Sequence, residues 1–313
     1  MIDQAIGDIV ALAPEHAQIV VFAAHGMGAN VMDLPSLLYL PEFMYRFNFP
    51  ERRGVAPGQV GDPLGDYIAD ETAQQKGWAK TVWDSKHEAN PLKRALKAIL
   101  PQRLVNKFAN YFDGPSGSDL VSPLWLKRNG VPQPFQPAIW YSRLWPQMKA
   151  FALPSFSEGY IRINLKGRDA QGIVEPSEYD ALCDEIIEAL HQMKDARTGQ
   201  PMAQRVVRTR QNPLDDDPKL PDADIVVIWQ EETVADAVDT ADLGRIGPVP
   251  LLRTGSHRAD GFIVAQGNGI EAGSSIETGH SLDLAPTLMQ LMDAPLPDYL
   301  DGKPLIKVKV PVA

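Results

Sequence analysis

The sequence predicts an α/β protein with a mostly parallel sheet flanked by helices. The first observation is a short apolar run, residues 19–24, which ends at His25 and the nearby Gly26 and Gly28. Runs this short and apolar are typical of strands buried on both faces of a parallel sheet. The second observation is that helical and strand periodicities alternate along much of the chain. Because open α/β sheets bind ligands at the carboxyl ends of strands, His25 is a candidate functional residue, and the two glycines are predicted to turn the chain sharply beside it.

Composition narrows the class of protein. The 313 residues include 30 Lys and Arg against 40 Asp and Glu, a formal net charge of −10 at pH 7, which argues against nucleic acid as a partner. The lone cysteine, Cys183, excludes an intrachain disulfide framework and favours a reducing compartment. The first residues lack the pattern of a signal peptide, and no uncharged apolar run approaches the roughly 20 residues that span a bilayer. We therefore expect a cytoplasmic protein without a transmembrane segment.

The chain is predicted to form one core with a large inserted lid. The core is expected to comprise residues 1–30 and 150–313, and the lid or cap region residues 31–149. In the lid segment prolines and glycines are frequent, regular alternation is scarce, and five of the six tryptophans occur. Irregular stretches of this length in α/β chains are usually functional insertions at a strand end.

Apolar spacing predicts the elements of the core. A helix over residues 2–13 precedes the strand at 18–24, although a parallel sheet normally has another strand before that helix. Further strands and helices are predicted at residues 160–165, 179–193, 206–207, 225–229, 262–265 and 283–292. A capping box is predicted from Ser177 and Asp180. Asp283 lies near the start of the last helix, where a carboxylate suits the helix dipole.

The lid contains one helical pattern, which is amphipathic and basic. Its apolar residues are Leu92, Leu96, Ile99, Leu104, Phe108 and Tyr111, with a break at Pro101. Its basic residues are Lys93, Arg94, Lys97, Arg103 and Lys107. Such a helix could lie on a membrane, face an anionic substrate, or simply expose a solvated face of a lid helix.

Two histidines have sequence settings that favour a functional role. His257 lies between Gly255 and Gly261, just before a predicted strand, and His25 ends the first strand. They could share a zinc ion, but zinc needs three or four ligands and no local cluster supplies the others. An ordinary packing role for both histidines stays open. Three other histidines are assigned no site: we expect surface or packing positions for His16 and His191, and the sequence is uninformative on His87.

Four motifs, in order, resemble the alkaline phosphatase superfamily. Residues 24–28, Ala-His-Gly-Met-Gly, resemble its Ser-Asp-His-Gly-Met/Phe-Gly motif. Residues 160–174 resemble the "iyINLkGRepqGiV" segment of the branch that contains type I phosphodiesterases, nucleotide pyrophosphatases and predicted phosphohydrolase/phosphomutases. Residues 255–261 resemble its final G-x-H-x-x-x-G motif. Residues 281–287 and 301–305 are similar to its C-terminal "DlaPTiL…dGkpL" pattern.

The resemblance implies a metal-dependent phosphoric-ester hydrolase. In that family two metal ions, usually zinc, bridge the substrate phosphate and stabilise the oxygens of an in-line displacement by a threonine or serine. Carried over to this sequence, His25 and His257 would be metal ligands. Asp260 and His280 would be candidate neighbours of the metal or the substrate.

The chain also departs from the family pattern. The resemblance covers residues 2–29 and 150–305, which correspond to the C-terminal part of the family only. The family's nucleophile and three of its metal ligands lie upstream of the first helix and have no counterpart, and Ala24 stands where a metal-binding aspartate is expected. We therefore expect an incomplete core without its N-terminal strands, an exposed hydrophobic sheet edge and no activity in the isolated chain.

Three hypotheses follow. The chain is a fragment of a hydrolase of the phosphodiesterase or nucleotide pyrophosphatase type, or a non-catalytic binding or structural member of the same family, which Ala24 favours. The third is an active enzyme with a rearranged site that uses His25, His257 and either Asp260 or His280. The expected partners are a small-molecule phosphate ester, and either a second copy in a homo-oligomer or a missing N-terminal half. Fold analogy does not identify the substrate.

Overall fold

A computed structural model describes most of the chain. The described residues are 1–31, 33–55, 79, 82–83, 90–108, 111–112, 120–250 and 255–306. The chain divides into two compact units, residues 1–27 with 257–313, and residues 28–256. We call them the terminal unit and the central unit. In the described ranges no helix is long and apolar enough to cross a membrane.

Both units mix helices and strands. The α-helices among the described residues are α1 (Ile2–Leu12), α2 (Leu40–Asn48), α3 (Pro91–Ile99), α4 (Gln102–Lys107), α5 (Pro123–Arg128), α6 (Pro137–Trp140), α7 (Tyr179–His191) and α8 (Leu284–Leu291). The strands there are β1 (Ile19–Ala23), β2 (Gly26–Ala29), β3 (Ala150–Ala152), β4 (Gly159–Ile163), β5 (Lys194–Asp195), β6 (Ala203–Arg208), β7 (Ile225–Trp229), β8 (Val238–Thr240), β9 (Gly244–Ile246), β10 (Gly255–Arg258) and β11 (Phe262–Gln266). Short 3-10 helices cover residues 142–147, 176–178 and 281–283, and a π-helix covers residues 35–39.

The main sheet of the central unit is antiparallel, not parallel as predicted. Its strand order is β3-β4-β7-β6, and all three pairings are antiparallel. On β4 and β7 buried residues alternate with half-buried ones, so one face of this sheet packs on the core. Strands β5, β8 and β9 form a smaller antiparallel sheet.

The core of the central unit is built around α2 and the π-helix before it. Every residue from Pro35 to Arg46 is buried, as expected for a helical segment surrounded on all sides. The bulky side chains of Trp140 and Trp229 are almost completely buried in the same core. Helix α7 adds one apolar face, formed by Tyr179, Leu182, Cys183, Ile186 and Leu190.

This core includes residues from the segment predicted to be a lid. Parts of residues 31–149 pack in one unit with residues 150–256, so the contacts do not divide the chain at residue 150. Sequence reasoning missed this because the buried run at 34–46 has no alternation and contains Pro35 and Pro41. Which segment is inserted into which stays a prediction.

A buried polar cluster fixes α2 within the central unit. Glu42 is fully buried and accepts hydrogen bonds from Arg46 Nε at 2.8 Å, from the Gly54 N–H at 3.2 Å and from the Tyr141 hydroxyl. Arg46 also donates to the carbonyl oxygens of Leu243 and Arg245. Burial raises the pKa of Glu42, and the Arg46 charge opposes that shift.

The terminal unit is far less buried. Strands β1 and β11 form a two-stranded antiparallel sheet, in which Val21 lies opposite Val264 and Ala23 opposite Phe262. No residue of α1 or β1 is buried. The expectation that β1 is buried on both faces in a parallel sheet was therefore wrong. The apolar sequence of β1 specifies a strand, whereas burial requires additional layers that pack against it.

Most of the predicted elements are present. Helices α1, α7 and α8 and strands β1, β4, β6, β7 and β11 lie where the sequence placed them. The capping box before α7 is formed by Glu175 and Glu178, not by Ser177 and Asp180. A 3-10 turn precedes α7 and moves the start of helical structure towards the N-terminus, so the capping residues move with it.

Candidate functional site

The structure brings His25 and His257 together within the terminal unit. His25 follows β1, and His257 lies in β10, shortly before β11. The Nδ1 atoms of the two rings are 3.1 Å apart. The ring centroids are 4.3 Å apart and the ring planes are inclined by 74°. Both side chains are exposed, so a small ligand can reach them from solvent.

Two glycines allow this approach of the two chain segments. A Cβ atom on Gly261 would lie 2.0 Å from the carbonyl oxygen of Ala23, and one on Gly26 would lie 2.5 Å from the carbonyl oxygen of Asp260. Any other residue would force the backbones apart at both places. The chain bends at Ala24 and His25, not at Gly26 and Gly28 as predicted, and both glycines lie in strand β2. Glycine is needed at position 26 for close approach.

The 3.1 Å separation is compatible with two chemical states. One neutral imidazole can donate its Nδ1–H to the lone pair of the other, since this is an ordinary hydrogen-bond length. Alternatively, both lone pairs can bind one ion. Two imidazole nitrogens on a tetrahedral zinc, each about 2.0–2.1 Å from the metal, lie roughly 3.3 Å apart. The donor set therefore fits two positions of a metal site.

The other predicted site residues are not gathered around this pair. Asp260 follows β10, is exposed and contributes its backbone to the approach at Gly26. His280 has a different partner, since its Nδ1 accepts the Leu282 N–H at 3.2 Å. Within the described parts of the chain, no group of three or more His, Cys, Asp or Glu side chains could hold a metal.

His280 belongs to a cap, and the carboxylate in that cap is Asp283. The backbone N–H of His280 donates to Asp283 at 2.7 Å, and the N–H of Lys303 donates to the other carboxylate oxygen at 2.8 Å. The His280 and Lys303 hydrogen bonds hold the pKa of Asp283 below its usual range. The side chain of Asp283 thus fastens the start of α8 to the segment around Lys303.

A second buried group connects the same two segments. The Thr287 hydroxyl donates to the Asp283 carbonyl oxygen and accepts the Leu305 N–H at 2.9 Å. A Cβ atom on Gly302 would lie 2.1 Å from the Leu282 carbonyl oxygen. The motif at 281–287 and 301–305 therefore forms a structural clasp in this chain.

The motif at 160–174 supplies a buried ion-pair cluster in the central unit. Arg168 donates to both carboxylate oxygens of the fully buried Asp224 at 2.7 Å. Asp224 also accepts hydrogen bonds from the Tyr179 hydroxyl at 2.9 Å and from the Ile163 N–H at 2.7 Å. Sequence reasoning missed Asp224, because an aspartate beside an acidic loop gives no sign that it is buried. These contacts give Arg168 a structural role in positioning β4 and α7.

The remaining histidines do not join the site. His16 is exposed in the loop before β1, and His191 is exposed at the end of α7. His87 lies outside the described residues. These positions for His16 and His191 agree with the surface roles expected from sequence.

Comparison with known proteins leaves the chain without a demonstrated relative. No protein-family profile matches the sequence, and no curated protein and no solved structure is significantly similar to it.

Proposed function

We propose that His25 and His257 bind one divalent metal ion, with zinc as the natural ion, in a site of the phosphoric-ester hydrolase type. The sequence resemblance at four motifs suggests the reaction class. The observation that carries the proposal is the 3.1 Å between the two Nδ1 atoms.

The two histidines are well suited to hold a metal. They come from segments more than 200 residues apart in the sequence, and the β1–β11 pairing with its glycine contacts holds those segments together. Imidazole is a preferred ligand of zinc. The rings are exposed, which leaves room for water or a phosphate oxygen to complete the coordination. A bound zinc ion would supply Lewis-acid stabilisation of a phosphoryl oxygen.

This chain's own residues give two of the required ligands. Ala24 cannot bind a metal, and Asp260 and His280 do not complete a group of three with the histidine pair among the described residues. A weak metal site is therefore expected from the chain itself, because each lost ligand lowers affinity. Hydrolysis would need a nucleophile and further ligands from another polypeptide or from chain segments that are not described.

A second candidate is a non-catalytic binding member of the same family. The specific observation that favours it is Ala24 beside His25, because this loss of a ligand falls inside the motif that is otherwise present. Such a protein could bind a metal or a phosphate ester at the histidine pair without hydrolysing it. For either candidate, the buried Cys183 and the absence of other cysteines support a reducing compartment such as the cytoplasm.

Metal binding is tested by calorimetric titration of the chain with Zn²⁺. We expect one ion per chain, and we expect His25→Ala and His257→Ala each to weaken binding at least ~10-fold, as loss of one of two protein ligands requires. The matched controls are His16→Ala and His191→Ala, which change exposed histidines elsewhere and should leave the affinity unchanged. Equal binding by all four variants would overturn the proposed site.

Hydrolysis is tested with p-nitrophenyl phosphate and bis-p-nitrophenyl phosphate, with and without Zn²⁺. Zinc-dependent release of p-nitrophenol that is lost in His25→Ala would support the hydrolase. Stoichiometric zinc binding without turnover of either ester would favour the non-catalytic member. Absence of both zinc binding and turnover would contradict the hydrolase and the proposed metal site.

A further inference from the structure

Helix α3 exposes most of its apolar side to solvent, although Leu96 on that side is half-buried. Leu92 and Ile99 are 63 % and 79 % exposed, whereas Lys93 on another side of the helix is only 7 % exposed. The Lys93 ammonium lies 4.9 Å from the centre of the Tyr111 ring. A helix that covers a protein core normally presents the opposite arrangement, with its apolar stripe inside.

The next helical segment repeats this pattern. Leu104, Phe108 and Tyr111 are spaced at i, i+4 and i+7, and the Phe108 N–H donates to the Leu104 carbonyl oxygen at 3.0 Å. All three side chains are exposed, by 40 %, 55 % and 52 %. Arg103 and Lys107 lie one position before two of them and are also exposed. The segment therefore presents a row of apolar side chains beside a row of basic ones.

The same stretch differs in charge from the rest of the chain. Residues 90–112 contain Lys93, Arg94, Lys97, Arg103 and Lys107, but no aspartate or glutamate. The whole chain has a net charge of −10. Among the basic residues of this stretch whose side chains are described, Arg103 and Lys107 are exposed, Lys97 is half-buried and Lys93 is buried. The exposed positive charges form a localised feature in an acidic protein, which attracts an anionic surface to this place.

Helix α3 is capped by residues of its own chain. The Asn90 side chain caps it by accepting the N–H groups of Leu92 and Lys93 at 3.0 and 3.2 Å, and Pro91 occupies the first helical position. Binding through its exposed side would then require little additional ordering of the backbone.

We propose that the surface formed by residues 91–108 and 111, which we call the basic apolar segment, binds a membrane that contains anionic lipids. Apolar side chains at the headgroup boundary with lysine and arginine beside them are the combination that interfacial helices use. An acidic protein partner would match the charges, but the five exposed apolar side chains of Leu92, Ile99, Leu104, Phe108 and Tyr111 match the acyl boundary better. The proposal is independent of the histidine site.

The experiment is flotation of the full chain with lipid vesicles. We expect the protein to float with vesicles of phosphatidylcholine and phosphatidylserine, and not with phosphatidylcholine alone. Binding should weaken as salt rises from about 0.1 to 1 M, because the Debye length falls from about 10 to 3 Å over that range.

Two triple variants separate the apolar and the basic contributions. Leu92→Glu, Ile99→Glu and Phe108→Glu together should abolish flotation. Lys97→Glu, Arg103→Glu and Lys107→Glu together should weaken vesicle binding at least ~100-fold, since each basic residue near an anionic surface contributes to binding. Circular dichroism and thermal unfolding of each variant establish that it is folded.

Matched controls carry the same changes at other exposed positions. Leu12→Glu, Met292→Glu and Tyr299→Glu remove three apolar side chains that are at least 78 % exposed in the terminal unit. Lys127→Glu, Lys194→Glu and Lys219→Glu make the same change in net charge at exposed lysines. Both control variants should float as the unchanged protein does.

Three results would overturn the proposal. The first is no flotation with either vesicle. The second is equal loss of flotation in the control variants, which would indicate a general charge or solubility effect. The third is that the unchanged chain is a dimer that does not bind vesicles, and that the combined change Leu92→Glu, Ile99→Glu and Phe108→Glu converts it to a monomer. That result would assign the segment to contacts between copies of the chain.

Discussion

The central and terminal units hold their apolar residues in different ways. In the central unit, Trp140, Trp229 and the helical segment 35–46 are buried in one continuous core. In the terminal unit, the described residues that are buried are Asp283, Pro286, Thr287 and Ile306. Phe22, Phe262 and Val264 of the β1–β11 pair are between 44 % and 61 % exposed. The two units thus have similar kinds of elements but very different apolar burial.

The difference teaches that local structure and stability have separate origins. A pair of strands and an amphipathic helix form from local patterns in both units, but burial of apolar surface is the dominant favourable term in folding. The terminal unit depends more on polar contacts, mainly the clasp of Asp283 and Thr287. We therefore expect it to be the less stable unit and the first to open.

The largest expected effect is on the central unit. Glu42→Ala leaves Arg46 buried without its carboxylate, which should lower the free energy of unfolding by about 3–5 kcal/mol. All six tryptophans lie in residues 28–256, so tryptophan fluorescence during urea unfolding reports on this unit. The control, Lys166→Ala, removes the exposed pair with Glu175 and should cost at most about 1 kcal/mol. Similar costs for the two variants would contradict the assigned importance of the buried cluster.

The next effect compares the units directly. Backbone amides of β1 and β11 should exchange with deuterium at least ~100-fold faster, after correction for intrinsic rates, than those of β4 and β7. Hydrogen-exchange mass spectrometry measures this on peptides from both units in one sample. If the amides of all four strands were equally protected from exchange, β1 and β11 would be covered in solution. That result would contradict the inferred difference in stability between the two units.

A smaller effect is expected inside the terminal unit. Thr287→Val keeps the shape of the side chain but leaves the partly buried Leu305 N–H without its acceptor, at a cost of about 1 kcal/mol. Exchange of the amides around Leu305 should accelerate, and tryptophan fluorescence should not change. Thr278→Val is the control, because Thr278 is exposed in the same unit. Acceleration of similar size in Thr278→Val would argue against the clasp.

The smallest expected effect is the pH dependence of the stabilisation by Asp283. The hydrogen bonds that Asp283 accepts lower the pKa of its carboxyl group. The folded state therefore binds the carboxyl proton more weakly than the unfolded state does. Its stabilisation is therefore fully present above the usual aspartate pKa of about 3.9 and is lost as the pH falls through the lower folded value. An NMR titration of the Asp283 carboxyl carbon should give a midpoint below about 3.9. A midpoint at or above that value would refute the proposed hydrogen-bonding role.

Sequence reasoning was more successful for elements than for their assembly. The apolar spacing of residues 2–13 and 225–229 is local, so it predicted α1 and β7. The parallel sheet was wrong because apolar strands read alike in parallel and antiparallel pairings, and the partner of each strand is decided by distant segments. The buried acids Glu42 and Asp224 were missed for a similar reason, since their burial depends on Arg46 and Arg168 being brought to them.

The candidate site shows the same division. The sequence by itself placed His25 at the end of one strand and His257 shortly before another, each with glycines nearby. It also determined that residues 90–112 are a basic amphipathic stretch. Only the tertiary structure decided that the two Nδ1 atoms are 3.1 Å apart, that His280 caps a helix, and that most of the apolar side of α3 faces solvent. Periodicity and residue type act over a few neighbouring residues, whereas distance and burial depend on segments far apart in the chain.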